Sequence, residues 1–299
     1  MEITFLGTST SAPTKTRNHP AIHAKFLNHN FLWDCGEGTQ RQMALAGISP
    51  FKISQIFITH VHGDHLLGIG GLIQTQGFLG RKDKLTIFGP KGIKKYVDFF
   101  AGWEYSFHEY EIEVREIKDG LVYEDEDFVM RAFKADHNQC PDYGYIFEEK
   151  VEVNLDKEKL RKMGLEGNPA CRELKENGRV VWRGKTVLLK DVSKPVRKGL
   201  KIVYTGDSKP CEEIAKAAKD ADLLISESTV GEELKEKAHD YGHMTAKDAA
   251  RIAKKAGVKR LILTHISPRY DEDPKILEKE ARTIFKNTDI ANDFMSIEL

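Results

Sequence analysis

The sequence predicts an α/β fold, on three observations. Short runs of β-branched and aromatic residues alternate with helical spacings in both halves of the chain; histidines and aspartates stand where several of those runs end; one basic stretch interrupts the alternation. The opening strands are Ile3 to Leu6, Ala24 to Leu27, Phe31 to Trp33 and Gln55 to Thr59, each bounded by glycine-rich or polar breaks. Thr39 to Ala46 and Leu66 to Phe78 carry helical spacing. Leu85 to Phe88 is a further strand closed by GPKG, and Ile93 to Ala101 resumes a helix. From Ile112 to Phe133, alternation through EIEVREI, LVYED and DFVMRAF predicts an antiparallel meander or ribbon.

Residues 150–198 break this pattern. They hold 14 Lys or Arg against 7 Asp or Glu, contain the turn-prone GLEGNP and ENG, and end in the strand-like VVWRGKTVLL, so they are expected to form an inserted arm within a single domain spanning 1–299. From Leu200 the α/β character returns: KIVYTGD, a helix to Lys219, DLLISE, a second helix, KRLILTH, a last helix and the edge-like DFMSIEL. One helix start is legible in detail. Thr245 followed by Asp248 and then Ala249, Ile252, Ala253 and Ala256 is a capping box, and Gly257 closes the helix.

Composition narrows the function classes. A chain of 299 residues can bury a large core, and 46 basic against 46 acidic residues select no partner by overall charge, so a nucleic-acid surface would have to be local. No apolar run approaches the ~20 residues of a membrane span, and MEITFLG lacks the features of a signal peptide, which predicts a cytoplasmic protein with no membrane contact. Cys35, Cys140, Cys171 and Cys211 are widely spread and are expected to be free thiols.

The strongest local signal is THVHGDHLLG. His60, His62, Asp64 and His65 follow a strand and enter a turn, which gathers four donors around a small volume; three of the chain's eleven histidines fall here. Imidazole nitrogen and carboxylate oxygen are the donors zinc favours, and four of them in six residues predict two ions sharing one centre. The remaining ligands should close other strands. His137 follows VMRAFKAD, Asp207 closes KIVYTGD and His265 closes KRLILTH. A carboxylate can bridge two ions, which makes Asp207 the candidate shared ligand, although a turn or cap would also explain that residue taken alone. Two metals make hydroxide available near neutrality and neutralise developing negative charge. Asp64 is placed to orient that hydroxide or take its proton, and His243, just before a capped helix, to donate one. His239 has less support, and Glu227, ending DLLISE, is placed to orient His243 or His265 or simply to end a strand.

HVHGDH, the ADH around His137, TGD around Asp207, HMTA around His243 and the strand-terminal His265 resemble the metallo-β-lactamase superfamily, and within it the transfer-RNA 3′-processing endonucleases, ribonuclease Z. The resemblance covers nearly the whole chain and includes APTKTRN (Ala12 to Asn18), DCGEGTQRQ (Asp34 to Gln42) and GLEGNPACREL in the arm, where the expected Gly-Pro dipeptide reads Gly167-Asn168-Pro169. It implies a four-layer αβ/βα sandwich with a protruding basic arm and two Zn2+ per subunit. His60, His62 and His137 would hold one ion, Asp64, His65 and His265 the other, with Asp207 between them, Asp64 as general base and His243 at the scissile phosphate. It also implies a homodimer acting on precursor transfer RNA, cut after the discriminator nucleotide to leave a 3′-hydroxyl. Phosphate contacts are expected from Lys15 and Arg17 near the mouth, and from Lys159, Arg161, Lys162, Arg172, Lys175 and Arg179 in the arm. Two other classes compete: another dinuclear phosphodiesterase or small-molecule hydrolase of the same fold, and a non-catalytic RNA-binding descendant. The first would turn over small esters without needing the arm; the second would have little reason to keep a full set of metal donors.

Overall fold

A computed structural model describes residues 1–103, 108–138 and 140–299. The chain divides into two units. The larger comprises Met1–Glu124, Val129–Phe147 and Lys201–Leu299. Its first sheet has seven strands in the order Ser296–Glu298, Glu2–Gly7, Ala21–Phe26, His29–Trp33, Gln55–Phe57, Leu85–Gly89 and Ile112–Glu116. Pairing is antiparallel from Ser296–Glu298 through to His29–Trp33 and parallel from there to Ile112–Glu116. The second sheet runs Thr288–Ile290, Arg260–Thr264, Leu223–Glu227, Lys201–Tyr204, Cys140–Glu149, Phe128–His137 and Gly120–Glu124, with its first four strands parallel.

The two sheets meet through aromatic side chains. Phe31 stacks on Phe147 at 6.2 Å between ring centroids, Phe57 lies edge-on to Tyr145 at 5.6 Å, and Trp33 approaches Tyr204 at 6.2 Å. Helices cover both outer faces. Met43, Leu66, Ile69, Leu72, Ile73, Ile93 and Val97 are buried with residues of the first sheet, and Ile214, Ala249, Ile252, Ala253, Leu277 and Ala281 with residues of the second. The architecture is therefore the expected αβ/βα sandwich, in which each sheet buries both faces.

Most local expectations hold. Thr245 accepts from the Asp248 amide while the Asp248 carboxylate accepts from the Thr245 amide, and Gly257 ends the helix Ala246–Ala256 in the left-handed region. All four cysteines are free. The antiparallel meander or ribbon expected over 112–133 forms only in its second half. Ile112–Glu116 lies parallel to Leu85–Gly89 in the first sheet, whereas Gly120–Glu124 pairs antiparallel with the following strand in the second. Alternating side chains report a half-buried strand but not which neighbour it pairs with, and the turn at 117–119 carries the chain from one sheet to the other. The helix expected from Leu66 to Phe78 is two helices, Gly63–Leu66 and Gly68–Phe78, so Asp64 and His65 stand on a helical turn. No helix among the described residues is long and apolar enough to cross a membrane.

The smaller unit, Asp125–Phe128 with Glu148–Leu200, has a core of its own: Leu160, Leu165, Leu174, Val180, Val187 and Val192. Asp156 caps the helix Lys157–Met163 by accepting from the amides of Glu158 and Lys159. The strands Arg179–Trp182 and Lys185–Leu188 form a hairpin whose two turn residues, Arg183 and Gly184, both have positive φ (50° and 77°), as a two-residue turn matched to strand twist requires.

Candidate metal centre

The parallel strands aim their C-terminal ends at one place. Asp34 follows His29–Trp33, His60 follows Gln55–Phe57, Asp207 follows Lys201–Tyr204, Glu227 ends Leu223–Glu227 and His265 follows Arg260–Thr264. His137 arrives on the last residue of Phe128–His137. Two residues here, Asp34 (φ 56°) and His265 (φ 57°), occupy the left-handed backbone region despite having a Cβ. That conformation costs on the order of 1–2 kcal/mol and is held only by surrounding bonds.

Those bonds orient the histidines. His65 donates from Nδ1 to Asp34 Oδ2 at 2.8 Å, His137 from Nδ1 to the Gly242 carbonyl at 2.8 Å, and His265 Nδ1 meets Thr229 Oγ1 at 2.9 Å. His60 Nδ1 stands 3.0 Å from both Thr59 Oγ1 and Asp142 Oδ2. In all four rings the Nδ1 side is engaged by the protein, which leaves Nε2 as the free donor toward the centre. Gly242 must be glycine: its φ is 80°, and a Cβ would come within 2.8 Å of His137 Nδ1.

The inward atoms lie close together. His62 Nδ1 is 3.0 Å from His60 Nε2 and 3.2 Å from His137 Nε2. Asp207 Oδ2 lies 3.2 Å from His265 Nε2, 3.4 Å from His65 Nε2 and 3.9 Å from His60 Nε2, and Asp64 Oδ2 lies 3.5 Å from His65 Nε2. His65 Nε2, His265 Nε2 and Asp207 Oδ1 are buried without a hydrogen-bond partner. Such orphaned donors and acceptors are costly unless something else satisfies them, and a divalent cation does so with this donor chemistry. Several groups of donors converge, each within 4.8 Å, among them His60, His62 and His137; Asp64, His65 and His265; His60, His65 and Asp207; and His137, Asp207 and His243. The seven sequence-expected ligands are thus brought together.

Charge at the centre is mutually sustaining. Burial would lower His65, but Asp207, Asp34 and Asp64 outweigh it and hold its pKa well above the usual range. Burial, reinforced by His65, pushes His60 down. Burial would raise Asp207, yet His265 and His65 hold it well below the ordinary carboxylate range, while burial and the Asp207 charge push Asp142 up.

His243 borders the cluster. Its ring centroid is 4.9 Å from that of His137 and 5.3 Å from that of His265, and its Nδ1 donates to Glu227 Oε1 at 3.0 Å. Burial would lower it, but the Glu227 carboxylate prevails and holds it up at about 9. Glu227 serves both histidines considered for it. It also accepts from Thr229 Oγ1 at 2.7 Å, and that hydroxyl meets His265. His239 is elsewhere, bonded through Nε2 to Asp248 Oδ2 at 2.8 Å.

Sequence reasoning missed the supporting carboxylates. Asp34 accepts from Thr59 N, Thr59 Oγ1, His65 Nδ1 and Tyr204 OH, and Asp142 faces His60. Asp34 stood in a quoted motif but had no role there; Asp142 carried no signal. Arg17 corrects an expectation. Its guanidinium is buried, donating to Thr8 Oγ1, the Ala291 carbonyl and Asn292 Oδ1, and so is not presented to RNA. Lys15 is exposed. In the smaller unit, Arg161 pairs with Glu166, Arg172 with Glu176, and Lys159 donates to the Asp191 carbonyl, while Lys162, Lys175 and Arg179 are exposed.

The sandwich and its donor cluster define a metal-dependent hydrolase of the metallo-β-lactamase fold. A profile described as the beta-lactamase superfamily domain matches residues 193–266, and one described as anti-Pycsar protein Apyc1 matches residues 1–166. The chain is 46% identical to ribonuclease Z of Methanothermobacter thermautotrophicus, covering 100% of this chain and 97% of that protein, and 42% identical to ribonuclease Z of Archaeoglobus fulgidus, covering 100% and 97%. The crystal structure of the short form of human tRNase Z superposes with a TM-score of 0.73 at 26% identity, covering 100% of this chain and 99% of that one. The chain belongs to the ribonuclease Z family.

Proposed function

We propose that the protein is an endoribonuclease that removes the 3′ trailer of precursor transfer RNA after the discriminator nucleotide, leaving a 3′-hydroxyl on the transfer RNA and a 5′-phosphate on the trailer. The observation that carries this is full-length identity of 46% to a ribonuclease Z, supported by a cluster of histidine and aspartate side chains in which the seven expected donors converge.

Two zinc ions suit the donor set. His60, His62 and His137 would hold one, Asp64, His65 and His265 the other, and Asp207 would serve both. When bound, the ions lower the pKa of a shared water toward neutrality and neutralise charge on the phosphate oxygens. The chain's own groups supply the rest. Asp64, on its helical turn, accepts the water's proton as oxygen attacks phosphorus. The bond from phosphorus to the discriminator 3′-oxygen breaks, and His243 gives that oxygen a proton. Glu227 fixes the His243 ring through Nδ1, leaving Nε2 as the donating atom.

Exposed Lys15, in the loop whose start bridges to Ile266, and the exposed cations Lys162, Lys175 and Arg179, with Lys159, Arg161 and Arg172, are the proposed phosphate contacts. Residues 150–198 are assigned to RNA binding within an otherwise single catalytic domain. A homodimer is supported by exposed apolar side chains on two helices packed together: Phe78 (83% exposed), with Leu79 just past the end of Gly68–Phe78, and Phe99 (66%) on Ile93–Ala101. A cytoplasmic location suits an enzyme of transfer-RNA maturation.

The test is a high-resolution gel of a 3′-extended precursor transfer RNA incubated with zinc-loaded protein, beside protein lacking residues 160–180 and a small phosphodiester. One cut after the discriminator, lost with the deletion while small-ester turnover survives, supports the reading. Small-ester turnover with no precursor cleavage would replace it with a small-molecule phosphodiesterase.

A further inference from the structure

We propose that Asp271 is a positioning residue that clamps the loop from Thr10 to Asn18 and so fixes where Lys15 stands on it. The inference rests on the reading of Lys15 as an RNA contact.

Both ends of this loop are anchored next to metal donors. Thr8 O accepts from the amide of Ile266, the residue after His265, at 2.8 Å, and Ser9 bridges to Ile266. At the other end, His19 and Asp64 flank Gly36, where an added Cβ would come within 2.5 Å of the His19 Cβ and 2.3 Å of the Asp64 carbonyl oxygen. The span between is closed on itself. Thr14 N donates to Arg17 O at 2.8 Å, and Thr14 Oγ1 accepts from the amides of Thr16 and Arg17 at 3.1 and 2.9 Å.

One carboxylate oxygen then holds the middle of the loop. Asp271 Oδ1 accepts from Thr14 Oγ1 at 2.8 Å and from Thr16 Oγ1 at 2.6 Å, and Arg17 Nε stands 3.9 Å away. Lys15 lies between the two tethered threonines and is exposed, whereas Arg17, the loop's other cation, is buried by Thr8, Ala291 and Asn292. The clamp is itself stiffly mounted: Asp271 N donates to Pro268 O at 3.1 Å, six residues beyond His265. A free lysine on a mobile loop loses rotamer and backbone entropy when it meets a phosphate; a lysine whose neighbours are already bonded loses only its own. The same carboxylate therefore connects the ligand-bearing strand to the one cation the loop offers.

The experiment measures kcat and KM on a 3′-extended precursor transfer RNA over a salt series for the parent, K15A, D271A, D271N and the K15A/D271A double variant, with bis(4-nitrophenyl) phosphate as a second substrate. Asn at 271 can still accept both hydroxyls but carries no charge. K15A and D271A are each expected to raise KM about fivefold to tenfold relative to small-ester turnover, with kcat little changed and the slope against log salt reduced by about one. The double variant should be no worse than either, and D271N should stay near the parent. If D271A has a KM at or below the parent's while K15A is impaired, or if the two effects multiply, the positioning role is overturned and the RNA reading stands. If K15A leaves KM unchanged, Lys15 is not an RNA contact and the proposal falls with it, whether or not precursor cleavage persists. Equal losses of D271A on both substrates would place Asp271 in support of the metal centre and overturn the clamp.

Discussion

The metal centre and the basic segment use charge in opposite ways. At the centre, Asp34, Asp142, Asp207 and Glu227 are buried and each faces a histidine, so fixed neighbours rather than water set the charge of each. In the smaller unit, Arg161 with Glu166 and Arg172 with Glu176 are exposed pairs on a separate small core. Water can replace an exposed partner at little cost, whereas a buried group left alone retains its full desolvation penalty. The first region should fail sharply when one residue changes, the second by degrees.

The largest effect should come from the shared carboxylate. Asp207→Ala removes the atom nearest three histidines, and is expected to lower turnover by on the order of 10³-fold or more and to reduce bound metal, read by elemental analysis beside precursor cleavage. Chelation of the parent should give the same loss, reversed by zinc. His243→Ala should cost about 10² to 10⁴ in kcat with metal content intact, because the ring adjoins the cluster and is held by Glu227. Loss of metal in this variant would make His243 a ligand and blur the distinction between holding and reacting.

Asp34 tests whether buried support behaves as argued. Asp34→Asn keeps an acceptor but replaces the anion that His65 and Tyr204 address, and should weaken zinc affinity by about 10- to 100-fold in a competition titration. Asp34→Ala should destabilise the fold by about 3–5 kcal/mol in chemical denaturation, since it strands Thr59, His65 and Tyr204. The smallest effects belong to the basic segment. Arg172→Ala should leave the melting temperature nearly unmoved while lowering the salt slope of precursor binding by about one. A large loss of stability there would erase the contrast between the two regions.

Legibility in the sequence followed the same division between local and distant causes. His60, His62, Asp64 and His65 could be read because they share one turn, and the Thr245 capping box because its bonds span three residues. His137, Asp207 and His265 were legible only as donors closing strands. Asp142 was not legible, since it acquires a role only when Cys140–Glu149 packs beside the strand leading to His60. Arg17 misled because a cation in a Pro- and Thr-containing loop reads as surface, while the partners that bury it lie at 291 and 292. Ile112–Glu116 misled because parallel pairing is a long-range choice that alternation does not record.

The pairing of Glu2–Thr4 with Ser296–Glu298 bears on how the molecule is made. A chain emerging from the ribosome exposes its histidine turn early, but Asp207 and His265 arrive only in the final third, and the outermost strand of the first sheet arrives last. During synthesis the protein therefore displays an incomplete set of metal donors for many seconds, at roughly 5–20 residues per second. The full set of seven donors is therefore complete only in a nearly finished chain.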